Sequence, residues 1–111
     1  VGIDLTVCPI IGNGTSWWLG YNRLKFNNDN DLYDLVKQLP VLPLPHEVDF
    51  DWYEDDGVKK QVIDSKGNSL TFTHAGHFRK IDLSYYKGWN FAVLTFLQAL
   101  PPTTPVVLWW H

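Results

Sequence analysis

Residues 104–111, TPVVLWWH, decide how the rest of the chain is read. In a strand, successive side chains point to opposite sides. Val106, Leu108 and Trp110 would then share one face, and Val107, Trp109 and His111 the other. Edge strands usually carry charge or other features that block further pairing. No charged side chain blunts Val106 to Trp110. The pattern therefore predicts an interior strand, packed on both sides and laid down late in the chain.

The run before it, GWNFAVLTFLQAL (88–100), is apolar on nearly every side and is followed by Pro101 and Pro102. That predicts a helix stopped by proline and covered all round. At the other end of the chain, GIDLTVC (2–8) alternates. Ile3, Leu5 and Val7 would face the core and Asp4, Thr6 and Cys8 the opposite side, as in a half-buried strand. GNG (12–14) is a turn signal, and SWWLGYNRLKF (16–26) is a second strand, so the two are expected to form a hairpin. NNDND (27–31) offers N-cap residues ahead of Leu32, Leu35, Val36 and Leu39, whose spacing is one helical stripe. Pro40 ends that helix, and PVLPLP (40–45) is expected as a stiff extended connector.

From Val48 the pattern becomes a meander. VDFDWY (48–53), VKKQVID (58–64), SLTFTH (69–74) and HFRKIDL (77–83) are separated by DDG, SKGN and AG turns. Regular turn spacing of this kind predicts antiparallel strands. The expected order is β-β-α-β-β-β-β-α-β. This is an α+β fold with a single antiparallel or mixed sheet of about five to six strands and two helices on one face. The 111 residues are expected to form one domain.

Composition narrows the function classes. Nine basic against twelve acidic residues leave a net charge of −3, which argues against a general nucleic-acid surface. The longest apolar run falls short of a membrane span. Cys8 is the only cysteine, and VGIDLTVCPI lacks the basic n-region of a secretory signal, so the expected location is cytoplasmic.

Chemical motifs are sparse. His74 and His77 sit three apart in THAGH and are weak metal candidates, lacking further ligands at diagnostic spacing. Six of the twelve acids lie between Glu47 and Asp56. Asp49 and Asp51 alternate as in a calcium loop, but Tyr53 takes the next alternate position and no closing Glu follows Gly57. The plainer account pairs these acids across the sheet with Lys59 and Lys60. Cys8 has no neighbour that would activate it, and no GxSxG, SxxK or phosphate-cradling glycine motif occurs. The sequence thus gives no support for an enzyme or for a cofactor.

Six tryptophans are the strongest lead. Trp52 and Trp89 are expected in the core. The tandem pairs Trp17/Trp18 and Trp109/Trp110 must each divide between two faces, which two helices cannot easily cover. The expectation is a non-enzymatic module that binds a protein partner, or itself, through an aromatic sheet face. That face would include Trp18, Tyr21, Tyr53 and Trp109, with Asp49, Asp51, Glu54 and Asp55 alongside. The alternative is a small-ligand binder that stacks a nucleotide or saccharide on Trp or Tyr, with Asn13, Asn22 and Arg23 as polar contacts. A metal-dependent enzyme built on His74 and His77 ranks third.

Overall fold

A computed structural model describes residues 3–10, 16–19, 23–45, 49–54, 57–60 and 67–111, with strands 16–19, 49–54 and 57–60 described by their backbone. The architecture is α+β. Its central feature is a five-stranded antiparallel sheet in the order β3-β1-β8-β7-β4. The strands are β1 (Leu5–Pro9), β3 (Leu24–Lys25), β4 (Leu42–Pro43), β7 (Thr71–His74) and β8 (Pro105–Trp110). The helices are α1 (Asn30–Lys37) and α2 (Gly88–Ala99).

β8 lies between β1 and β7 and pairs antiparallel with both, from Leu5↔Trp110 to Pro9↔Val106 on one side and from Thr71↔Leu108 to His74↔Pro105 on the other. Its apolar faces each find a core. Leu5, Val7, Val106 and Leu108 pack with Leu32, Tyr33 and Val36 of α1 and Val93, Leu94 and Leu97 of α2. A smaller cluster joins Cys8, Leu70, Phe72 and Val107. The two outer strands have two residues each, and β4 contains Pro43, so both sheet edges offer little for further pairing.

Several expectations change here. β1 is buried throughout, so Thr6 and Cys8 do not lie on a solvated face. The run 16–26 does not form one strand. Of its described residues, Leu24 and Lys25 are the ones that pair with β1. Ser16–Leu19 (β2) runs parallel to Asp49–Glu54 (β5), which forms a hairpin with Gly57–Lys60 (β6) in a further three-stranded sheet. The meander therefore breaks, because β7 pairs with β8 and β4. Its expected last strand, 77–83, is absent. Ala75–Lys80 is a 3₁₀ helix, followed by a shorter one at Leu83–Tyr85. Ala75, Phe78 and Ile81 are all buried, and side chains three apart align on such a helix. Gly76 permits this close docking. A Cβ there would lie 3.0 Å from Pro102 Cβ, and the Gly76 N–H donates to the Pro102 carbonyl at 3.0 Å.

α1 begins as expected: Asp29 caps it, its carboxylate accepting from the Leu32 N–H at 3.1 Å. Its buried stripe is Leu32, Tyr33, Val36 and Leu39, while Leu35 is 41% exposed. Tyr33 rather than Leu35 faces the sheet, its ring edge-on to Trp110 with centroids 5.8 Å apart. The connector 40–45 is extended and supplies the edge strand β4.

Candidate functional site

One sheet row builds the site. Thr6 on β1 is the register partner of Lys25 on β3 and of Trp109 on β8. The three residues form a line across three strands. Arg23 precedes Lys25 by two positions and His111 follows Trp109 by two, so the period of a strand places them on the same side. Together these five residues line an open depression of about 340 Å³. Its face is opposite the helices, since Leu5, Val7, Val106 and Leu108 point the other way.

Thr6 is only 6% exposed, and its hydroxyl lies 2.8 Å from His111 Nε2. His111 is itself held to Asp4 by a reciprocal pair of backbone hydrogen bonds of 3.0 and 2.8 Å. Lys25 Nζ stands 3.7 Å from Asp4 Oδ2. The depression presents an indole, two cationic side chains and a part-buried hydroxyl–imidazole pair.

The tandem pair divides as a strand requires. Trp109 joins the smaller cluster and the depression. Trp110 packs toward α1, with Lys37 Nζ 5.4 Å from its ring centroid. The other described members of the expected binding set lie on strands of the three-stranded sheet. Trp18, on β2, is the register partner of Asp51 on β5, and Asp51 is also opposite Lys60. Asp49, Tyr53 and Glu54 lie along β5. Tyr21 and Asp55 fall outside the described residues.

The His74 and His77 rings have centroids 6.3 Å apart with planes tilted by 53°. Among the described residues no group of three or more His, Cys, Asp or Glu could hold a metal ion. Asp82 caps the second 3₁₀ helix instead. The Ser84 N–H donates to its carboxylate at 2.9 Å, and this bond lowers its pKa.

A second surface was not expected. Trp89, Phe91 and Phe96 of α2 are 48%, 42% and 40% exposed, so Trp89 is not a core residue and α2 is not covered all round. No residue of α2 is charged. The Trp89 indole N–H donates to the Lys25 carbonyl, which holds one edge of the ring against the protein. Continuous apolarity signalled burial; only three-dimensional packing distinguishes the buried stripe from the open one. No helix among the described residues is long and apolar enough to cross a membrane.

Compared with protein-family models, curated proteins and solved structures, the chain matches none.

Proposed function

We propose that the chain is a non-enzymatic interaction module whose partner is a second copy of itself, engaged through the open face of α2. The supporting observation is the uncharged, half-exposed aromatic stripe on an otherwise well-packed helix. Soluble proteins seldom leave large contiguous apolar patches in water without an interaction to use them. The stripe Trp89, Ala92, Phe96, Ala99 alternates large and small at the three- and four-residue spacing of a helical seam. Set antiparallel about a two-fold axis, Trp89 meets Ala99 of the second copy and Ala92 meets Phe96. Each ring then fills the space beside a methyl group, and no like charges meet. A self-complementary patch is what an isologous dimer requires.

The aromatic area is modest. At about 150–250 Å² per aromatic side chain, Trp89, Phe91 and Phe96 together expose roughly 250 Å². A standard interface buries about 800 Å² per partner, so the dimer is a weak one.

Sedimentation velocity across a concentration series tests the proposal. The parent chain should show a rising dimer fraction. Phe96→Asp should remain monomeric with an unchanged circular dichroism spectrum. Ala99→Trp, which adds no charge, should also weaken association by filling the space opposite Trp89. A parent chain that stays monomeric throughout refutes self-association, as does dimerisation indifferent to both substitutions.

A further inference from the structure

The end of β7 carries a pair of side chains that the α2 interface does not use. His74 closes the strand, and His77 follows on the 3₁₀ helix Ala75–Lys80. We infer that these two imidazoles form an open chelate for a divalent d-block metal ion, with Zn²⁺ as the representative ion.

The backbone brings the rings together. A 3₁₀ helix turns once every three residues, so side chains three apart align. That period sends Ala75, Phe78 and Ile81 to the core and sets His74 and His77 in a separate, half-buried row. Their ring centroids are 6.3 Å apart. With zinc–nitrogen bonds of about 2.0–2.1 Å, two imidazoles on one tetrahedral ion have centroids roughly 5 Å apart. Small rotations about the His77 side-chain bonds close that difference. The frame beneath is firmly seated. The Ala75 N–H donates to the Thr104 carbonyl at 2.9 Å and the Gly76 N–H to the Pro102 carbonyl at 3.0 Å. The Phe72 ring stands edge-on to His74, with centroids 5.5 Å apart. Once one imidazole has bound, the second binding step is intramolecular, which is the advantage of a chelate.

The donor set selects the ion. Imidazole suits zinc, copper and nickel, whereas magnesium and calcium prefer oxygen ligands. Among the described residues no third His, Cys, Asp or Glu completes the pair. A catalytic zinc keeps three protein ligands, so two imidazoles make an exchangeable site with water at the remaining positions and not a hydrolytic centre. Two cations lie close in sequence. Arg79 is turned toward α2, where its Nε donates to the Gln98 carbonyl at 3.3 Å. Lys80 is next on the row of the two histidines, but it is exposed, and water weakens its repulsion of a bound ion.

Calorimetric titration of the full chain with zinc chloride and with magnesium chloride tests the inference. Zinc should bind saturably at sub-millimolar concentration, and magnesium should not bind. His74→Ala and His77→Ala should each weaken zinc binding by at least about tenfold, because each leaves a lone imidazole. In the parent chain the ring resonances of His74 and His77 should shift together as zinc is added, a readout that requires no substitution. The inference is overturned if zinc does not saturate the chain at millimolar concentration, if magnesium binds as tightly, or if either substitution leaves zinc affinity unchanged. His77→Ala leaves α2 unaltered, so loss of zinc binding and loss of self-association are separable results.

Discussion

Asn90 is the one polar residue buried within α2, and replacing it provides a sharp test of how the helix is seated. Its side-chain oxygen accepts from the Asn27 N–H at 2.8 Å, and its amide donates to the Asn27 carbonyl at 3.0 Å. These two bonds fasten the start of α2 to the segment between β3 and α1. Each contributes about 0.5–1.5 kcal/mol net, so Asn90→Ala should cost about 1–3 kcal/mol before any cavity term. Asn27 is exposed, so water can take over its two groups and no large desolvation penalty is added. With a urea dependence of about 1–3 kcal/mol per molar, a loss near 2 kcal/mol moves the unfolding midpoint by roughly 1 M.

Asn90→Asp separates the two bonds. Above its pKa the introduced carboxylate still accepts from Asn27 N–H but faces the Asn27 carbonyl with no proton to donate. When protonated, it can restore both bonds. Burial and the facing carbonyl favour the protonated form, so its folded pKa lies above the unfolded value. The restored stability is present below the unfolded pKa and is lost as pH rises through the folded one. Urea midpoints for the parent and both variants between about pH 4 and 7 decide the matter. The Asn90→Asp deficit should shrink on acidification, while the Asn90→Ala deficit stays constant. Equal pH profiles, or an Asn90→Ala midpoint matching the parent, would refute the role assigned to this side chain.

Tyr33 is 2% exposed and its hydroxyl has no hydrogen-bond partner, so Tyr33→Phe should stabilise the fold by up to about 1 kcal/mol in urea unfolding. Burial is the main cause that raises the Tyr33 pKa above 10.0, with the charges of Asp4 and Asp29 adding to it. Because the folded state retains this proton more strongly, stability should fall as pH climbs past 10.0, and the Phe variant should lose less. Deleting residues 106–111 removes the central strand and the fully buried Val106 and Val107, and should abolish cooperative unfolding in calorimetry. Leu108→Ala, a milder change at the same strand, should cost about 2–5 kcal/mol while retaining a cooperative transition.

Local patterns carried much of the fold. The two-faced run 106–110 marks β8 because a strand with no polar side must be covered on both. Asp29 marks the start of α1 because its carboxylate can satisfy an N–H that the first turn leaves unpaired. The 3₁₀ helix at Ala75–Lys80 was hidden, since HFRKIDL alternates well enough to pass for a strand. What decides its form is the distant Pro101–Thr104 turn, whose carbonyls receive the Ala75 and Gly76 N–H groups. The choice of Tyr33 over Leu35 as a core residue likewise depends on Trp110, seventy-odd positions away in the chain.

The candidate site was legible in its parts and not in its assembly. Trp109 and Arg23 stood out as aromatic and polar candidates, but Thr6 and Lys25 carried no signal as binding residues. Their meeting depends on the register of β1 against β3 and β8, a long-range relation that strand periodicity does not contain. By itself, the sequence determined the α+β class, the helix starts and stops, and the burial of the last strand, because these follow from propensity and short-range periodicity. Only the tertiary structure decided which strands pair, which stripe of α2 remains open, and which side chains meet at the depression. Those outcomes depend on contacts between residues far apart in the chain, where loop closure and packing outweigh local preference.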